Sequence, residues 1–178
     1  MMKHASAILV LLLAWLPLQP AIAEGWQIGG GGQYVEFDDD LDEVDSGFGA
    51  IFSASYRQSR YLGFDFQVGL SGHEEDRKDG DVGYVYGMAG LQFLMASGDV
   101  VPYLAAGISL HSVGFEEFDT ISGEGIYYGI GVDIAVAPRH SINISYRVSD
   151  WDGEDDDFDY DIENSYLGVA YNFRFTPQ

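Results

Sequence analysis

The chain has 178 residues, of which 47% are hydrophobic, and this is enough apolar material for one ordered domain rather than a disordered chain. Acidic residues outnumber basic residues by 29 to 8, so the net charge of −21 gives a nucleic-acid partner no electrostatic support. Cysteine is absent, which excludes a disulfide framework, a thiol nucleophile and a cysteine-ligated metal.

The first 23 residues have the pattern of a secretory signal peptide. Lys3 precedes a short apolar run at residues 7–16, and an Ala-Ile-Ala cleavage site ends at residue 23. Pro17 and Pro20 follow the apolar run and limit its length, which is shorter than the about 20 residues that a membrane-spanning helix needs. We therefore expect residues 1–23 to be removed and residues 24–178 to form the mature domain.

In the mature chain, apolar residues alternate with small or polar residues, and helical periodicity is hard to find. The clearest case is YLGFDFQVGLS at 61–71, where every even position from Leu62 to Leu70 is apolar and the odd positions are mostly small or polar. The segments that we interpret as strands are 26–37, 48–57, 61–71, 82–95, 102–110, 126–136, 141–149 and 165–175. Their number predicts an all-β protein of eight strands.

The connections between these segments alternate in length. Short turns fall near Ser59, Gly98 and Arg139, and long connections fall at 38–46, 73–81, 114–124 and 150–163. This rhythm predicts an eight-stranded antiparallel up-and-down transmembrane β-barrel with tight periplasmic turns and longer outer loops. Both termini would then be periplasmic.

A soluble β-sandwich or lipocalin-like barrel would also alternate, with its polar face in water. The non-apolar faces here are mostly Gly, Ser, Ala, Tyr and Gln with few single charges, and the whole chain has only eight basic residues. This composition suits a narrow packed lumen better than a solvated exterior. Closure also satisfies every strand edge, because unpaired backbone groups in hydrocarbon cost several kcal/mol each.

Three short motifs, VPYLAAGI at 101–108, GIGVD at 129–133 and ISYRVSDW at 144–151, resemble strands of the small outer-membrane β-barrel family, the OmpA/OmpX-like and opacity-like group of Gram-negative bacteria. The ending YNFRF at 171–175 is similar to the aromatic signal that the outer-membrane assembly machinery reads in that family, although residues 176–178 follow it here. The resemblance implies a monomer in the outer membrane, surrounded by outer-membrane lipid and lipopolysaccharide. The peptidoglycan-binding domain that follows the barrel in full-length OmpA-type proteins is not expected here, because the sequence stops after the eighth predicted strand.

Four charged residues fall on the predicted lumen face. We expect Arg57 to pair with Asp65 on the second and third strands, and Asp133 to pair with Arg147 on the sixth and seventh, each pair lying diagonally across a hairpin. Their predicted role is structural, because charges in a confined lumen need partners. Eight strands enclose a lumen that side chains can fill, so we expect a plugged barrel.

The histidines offer little chemistry. His73 and His140 are expected to be solvated, and no histidine has metal-ligand company at a useful spacing. His111 lies near Ser109 and Ser112, which leaves open a lipid-modifying enzyme, although the spacing does not reproduce the His-x-Ser arrangement of the lipid A deacylase family. We predict no catalytic residues and no bound cofactor.

The four long connections contain 24 of the 29 acidic residues. A hydrated, charged rim is one interpretation. The other is weak Ca²⁺ or Mg²⁺ binding, because these ions prefer clustered carboxylate oxygens. The candidate cation ligands are Asp152, Glu154, Asp155, Asp156, Asp157 and Asp159.

These patterns predict an outer-membrane β-barrel with a structural or surface-interaction role and no reaction of its own. The first alternative is a small cation-preferring porin, in which an acidic vestibule concentrates cations. The second is the lipid-modifying enzyme. Conductance in planar bilayers separates the first two functions, and lipid analysis exposes the third.

Overall fold

A computed structural model describes residues 25–39, 41, 44–74, 81–115, 120–154 and 159–175. Its strands are β1 Gly25–Asp39, β2 Gly47–Arg57, β3 Leu62–Glu74, β4 Asp81–Leu94, β5 Val100–Phe115, β6 Ile121–Ala137, β7 His140–Glu154 and β8 Asp159–Arg174. Each strand pairs antiparallel with the next, and β8 pairs with β1 to close the barrel. The predicted fold is confirmed. Within the described residues, no helix is long and apolar enough to cross a membrane.

Strand ends lie inside all four predicted long connections. The largest difference is in the connection predicted at 150–163, where β7 continues to Glu154 and β8 already begins at Asp159. We call this end of the barrel the loop end, and we call the end with the short connections near Ser59, Gly98 and Arg139 the turn end. The barrel is therefore longer at its loop end than the sequence pattern predicts.

Alternation sets which side chains enter the lumen. On β3, Phe66, Val68 and Leu70 are exposed on the outer wall, whereas Asp65 and Gln67 are buried inside. Such a wall of exposed apolar residues around a polar interior is the arrangement that a lipid bilayer requires. Each strand thus contributes one lipid-facing row and one lumen-facing row.

One outward position departs from this rule. Leu62 was predicted on the apolar outer face, but it is buried at the turn end. The backbone N–H groups of Gln58 and Ser59 both donate to its carbonyl at 3.0 Å, so the turn folds back onto the first residue of β3.

Glycines on the lumen face make room for tyrosine rings. A Cβ added to Gly69 would lie 2.3 Å from the ring of Tyr86, and one added to Gly131 would lie 2.3 Å from the ring of Tyr103. Each tyrosine comes from the neighbouring strand, because Gly69 pairs with Tyr86 and Gly131 pairs with Tyr103. The small residues of the lumen face are therefore the space that the large ones fill.

The polarity of the two faces inverts near the loop end. On β7, outward Ile144 and Tyr146 are followed by outward Asp150 and Asp152, while the inward side changes to Trp151. On β8, the outward position nearer the middle of the barrel is Leu167, whereas nearer the loop end Glu163 points outward and Ile162 is buried inside. The described loop end thus has the pattern of a water-soluble protein, with apolar residues inside and charged residues outside. This inversion marks where the lipid-facing wall ends.

Candidate functional site

The lumen near the turn end holds a buried charge cluster. Asp133 on β6 accepts a hydrogen bond from Arg57 Nη2 on β2 at 2.9 Å and another from Arg174 Nη2 on β8. Arg174 Nε also donates to Gln27 Oε1 on β1 at 2.9 Å. One carboxylate therefore binds guanidinium groups from two strands, and its bond to Arg57 reaches the strand four places around the barrel.

The middle of the lumen holds a second buried ion pair. Arg147 Nη1 on β7 donates to Asp65 Oδ2 on β3 at 2.6 Å, and both side chains are only 3% exposed. The same carboxylate accepts from the Tyr127 hydroxyl at 3.2 Å and from Gln92 Nε2 at 3.1 Å. The Arg147 guanidinium also lies 5.3 Å from the centre of the Tyr127 ring, within cation–π range. Asp65 thus has three donors from three other strands.

A third link crosses the lumen nearer the loop end. The hydroxyl groups of Tyr84 on β4 and Tyr166 on β8 lie 2.6 Å apart, and the Tyr84 hydroxyl also lies 2.6 Å from His111 Nδ1. His111 Nε2 is 3.0 Å from Ser149 Oγ, and Ser149 Oγ is 2.8 Å from Ser109 Oγ. All five side chains are buried, so this network forms a layer of the lumen rather than the lining of an open channel.

These contacts form three bridges across the barrel, at Arg57–Asp133, Arg147–Asp65 and Tyr84–Tyr166. They join β2 to β6, β3 to β7 and β4 to β8, and in a ring of eight strands each pair of strands is diametrically opposite. We call them the three diametric bridges. An eight-stranded barrel is narrow enough for side chains from opposite walls to meet.

The predicted ion pairs within hairpins are wrong. Arg57 bonds to Asp133 and Arg147 bonds to Asp65, so the four predicted residues are in the lumen with their partners exchanged. Along β6 and β7, Asp133 lies opposite Asn143, and Arg147 lies opposite Gly129. Four residues of strand span about 13 Å, which puts the predicted pair of Asp133 and Arg147 out of reach.

Side chains of the first long connection cover the lumen at the loop end. Leu41 and Val44 are buried against an apolar cluster that includes Phe37 and Val82. The acidic residues around Leu41 and Val44 predicted a charged rim or weak cation binding, and not a cover over the lumen. The two apolar residues within that acidic stretch are the signal that could have indicated a cover.

Carboxylates cover the outer wall of the loop end. Eight residues on β6, β7, β8 and β1 form this surface, which we call the acidic collar: Glu36, Asp38, Glu124, Asp150, Asp152, Glu154, Asp161 and Glu163. Register places Asp152 directly opposite both Glu124 and Asp161. It likewise places Glu163 opposite both Asp150 and Asp38. Like charges opposite one another destabilise a sheet, so the collar favours cations nearby.

The family model described as "Outer membrane protein beta-barrel domain" matches residues 5–173. The chain belongs to this outer-membrane β-barrel family. A 22 kDa outer membrane protein of Rhizobium leguminosarum bv. viciae is 29% identical over 174 residues, covering 88% of this chain and 82% of that protein. The bacterial outer membrane is therefore the location of this barrel.

Two solved structures show the same fold. Neisserial surface protein A has a TM-score of 0.71 at 18% identity, covering 85% of this chain and 97% of its own. Ail, the attachment invasion locus protein of Yersinia pestis, has a TM-score of 0.63 at 21% identity, covering 86% of this chain and all of its own. At these identities the likeness concerns the fold of this family member and not its ligands.

The histidines of this barrel differ from expectation at one position. His73 is buried rather than solvated: its Nε2 lies 2.7 Å from Ser71 Oγ, and its Nδ1 lies 2.8 Å from the backbone oxygen of Asp45. His140 is half-buried at the turn end, with its Nδ1 2.6 Å from the Tyr171 hydroxyl. His111 faces the lumen as predicted, whereas Ser112 lies outside it.

The candidate cation ligands fall into two groups. Asp152 and Glu154 are exposed on β7 as part of the acidic collar. Asp155, Asp156 and Asp157 lie outside the described residues, as does the side chain of Asp159. No group of three or more His, Asp or Glu residues is arranged to hold a metal ion within the described part of the chain. Cation binding at these six residues stays a prediction.

Proposed function

We propose that this outer-membrane protein is a non-conducting barrel that acts through its outer surface. The observation that supports the proposal is the set of three diametric bridges, because side chains joined across the full width of the barrel occupy the path that an ion would take. Asp65 and Arg147 are both almost fully buried at the middle bridge. A pore would need this charge pair to separate, which would leave two charges in the lumen without their partners.

The acidic collar is the proposed interaction surface. Its carboxylates lie in register on neighbouring strands, beyond the point where the outer wall ceases to be apolar. Their mutual repulsion is relieved by divalent cations or by a cationic surface of another molecule. Lipopolysaccharide phosphates are anionic as well, so divalent cations would bridge the collar to the surrounding lipid.

The negative charge of the acidic collar disfavours binding of polyanionic ligands. Ail of Yersinia pestis has been solved in complex with the heparin analogue sucrose octasulfate. This chain has the same fold but presents rows of opposed carboxylates at its loop end, so we expect it to bind no such analogue.

A catalytic role has no comparable support. His111 and Ser149 are within hydrogen-bonding distance, but both are buried in the same lumen layer as Tyr84 and Tyr166. A lipid substrate approaching from the outer wall would meet Ser112 instead, which lies 3.3 Å from the Ser122 hydroxyl and not near an imidazole. We therefore propose a protein without enzymatic activity.

The proposed orientation puts the loop end outside the cell. A cysteine at Asp152 in the collar should react with a membrane-impermeant maleimide on intact cells, whereas a cysteine at Arg139 in an exposed turn should react only after lysis. The chain has no native cysteine, so each variant reports one position. If only the Arg139 variant were labelled on intact cells, the barrel would have the opposite orientation to the one proposed.

The proposed surface predicts weak cation binding. Isothermal titration of the refolded barrel with Ca²⁺ should give a dissociation constant of about 10⁻⁴–10⁻³ M, the range of extracellular calcium modules. Changing Asp152, Glu154, Asp155, Asp156, Asp157 and Asp159 to Asn should weaken this binding. A comparison variant changes Glu36 and Asp38, the collar residues on β1, to Gln and Asn and should have a smaller effect. Binding that the six-residue variant leaves unchanged rejects those residues as the site.

A further inference from the structure

The turn end of the lumen contains more positive than negative charge. Arg57 and Arg174 both donate to one oxygen atom, Asp133 Oδ2. Among the described residues these two arginines form ion pairs with Asp133 alone, so two positive charges share one negative charge. Asp99, the other acidic residue described at this end, is exposed on the turn before β5. The cluster of Arg57, Arg174 and Asp133 therefore has one excess positive charge.

The neighbouring ion pair does not supply the missing negative charge. Asp65 is the other carboxylate that is buried within the described residues, and Arg147 Nη1 already binds it at 2.6 Å. A charge that is enclosed in a protein interior without a counter-charge is costly, because it has lost most of its water. An anion beside the two arginines of the turn end restores neutrality.

The cluster also has more hydrogen-bond donors than acceptors. A guanidinium group has five N–H donors. The described contacts of Arg57 use one of them, to Asp133, and those of Arg174 use two, to Asp133 and Gln27 Oε1. On the neighbouring strand β7, the hydroxyl group of Ser141 is fully buried and has no hydrogen-bond partner within the described part of the chain. Surplus donors beside a positive charge favour an oxyanion, because its oxygens accept strong, charge-assisted hydrogen bonds.

The second carboxylate oxygen of Asp133 determines which oxyanion fits. Asp133 Oδ1 is buried and accepts no hydrogen bond from the described residues, whereas Oδ2 accepts two. An ionised carboxylate only accepts hydrogen bonds, so it repels a fully deprotonated oxyanion such as sulfate and favours one with an O–H group. Hydrogenphosphate offers both features, oxygens for the guanidinium groups and an O–H group for Asp133 Oδ1.

We propose that the turn end of the lumen binds one hydrogenphosphate ion, with Arg57 and Arg174 on its oxygens and Asp133 Oδ1 accepting from its O–H group. Access is beside Arg57, whose side chain is 17% exposed, compared with 7% for Arg174 and 4% for Asp133. The inference goes beyond the proposed function, which concerns the outer surface of the loop end. The middle diametric bridge separates this site from the loop end, so the site holds an anion and does not conduct it.

The experiment is isothermal titration of the folded barrel in an uncharged detergent, at a slightly alkaline pH where hydrogenphosphate is the main form of phosphate. Sodium phosphate, sodium sulfate and dimethyl phosphate are compared. Dimethyl phosphate has the phosphodiester of a phospholipid headgroup and no O–H group, so it separates free phosphate from lipid. Phosphate should bind once per barrel, and the other two anions should bind at least about tenfold more weakly, equivalent to about 1.4 kcal/mol, because they leave Asp133 Oδ1 without a donor.

Three variants locate the site. Arg57→Gln removes one guanidinium group and should weaken phosphate binding about tenfold, the loss expected for a charge-assisted hydrogen bond. Arg139→Gln is the matched control, because it removes an exposed arginine from the same end of the barrel, and it should bind phosphate within about twofold of the parent. Asp133→Asn keeps the shape of the side chain but removes its charge, so the preference for phosphate over sulfate should disappear. Tryptophan fluorescence establishes that each variant is folded, and if Asp133→Asn does not fold, the comparison of anions in the parent decides.

Four results would each overturn the proposal. If the parent bound no phosphate, carboxylates of the chain itself would neutralise the cluster. Equal binding of phosphate and sulfate by the parent would show a general positive patch. Equal weakening by Arg57→Gln and Arg139→Gln would place the anion outside the lumen, and an unchanged preference for phosphate in folded Asp133→Asn would exclude Asp133 Oδ1 as the acceptor.

Discussion

Replacing Asp65 with asparagine is expected to lower the free energy of unfolding by about 3–5 kcal/mol, the cost of leaving one partner of a buried ion pair without the other. Asp65 accepts hydrogen bonds from Arg147, Tyr127 and Gln92, and Arg147 is buried where water cannot replace the lost charge. Asparagine preserves the shape of the side chain, so the loss reports charge and hydrogen bonding rather than packing.

The measurement is urea unfolding of the barrel in phospholipid vesicles, followed by the fluorescence of its tryptophans. The matched control is Asp150→Asn in the acidic collar, which removes the same charge from an exposed wall and should change stability by no more than about 0.5 kcal/mol. A double variant, Asp65→Asn with Arg147→Met, should recover part of the loss because it removes the unpaired cation. A loss below about 1 kcal/mol for Asp65→Asn would contradict the role assigned to the middle bridge.

The second large effect is expected at a lumen glycine. Gly69→Ala places a methyl group 2.3 Å from the Tyr86 ring, which cannot move freely because its hydroxyl bonds to Gln33 and to Gln67 at 2.6 Å. Overpacking of this kind costs about 1–3 kcal/mol. The same unfolding experiment measures it.

Gly72→Ala is the matched control, since Gly72 lies on the same strand and an added methyl group there meets nothing within 4 Å. It should unfold like the parent. Combining Gly69→Ala with Tyr86→Leu should cost less than the sum of the two single changes, because the shorter side chain vacates the space of the ring. Equal stability of Gly69→Ala and Gly72→Ala would refute the tyrosine-over-glycine packing.

Alternation was sufficient to predict the number of strands and the faces of most of their residues. The period of two assigns Asp65 to the lumen and Phe66 to the wall without knowledge of their contacts, because side chains of a strand point alternately to its two sides. The relative order of short and long connections then predicted the hairpins and the barrel.

Partner choice in the lumen could not be predicted in this way. Register within a hairpin suggests neighbours on adjacent strands, whereas the barrel curves Arg57 and Arg147 toward carboxylates on the opposite wall. The geometry of closure, and not the spacing along the chain, decides which charges meet. This is why the correct four residues were predicted with the wrong partners.

The acidic stretch at 150–163 was misassigned for a different reason. Carboxylates dominate its composition and predicted a loop, but Trp151 and Ile162 alternate with the acids and enter the lumen. The period of two continues there with its polarity inverted. Attention to the apolar residues, rather than to the number of charges, would have extended β7 and β8.

Conductance of the purified barrel in planar lipid bilayers tests most directly whether the lumen is closed. The diametric bridges at Arg57–Asp133, Arg147–Asp65 and Tyr84–Tyr166 predict no steady channel above the background of protein-free bilayers in either polarity. Tryptophan fluorescence of the same preparation establishes that the inserted protein is folded. A reproducible, cation-selective conductance from the folded barrel would contradict the closed lumen and would favour a porin whose acidic collar concentrates cations.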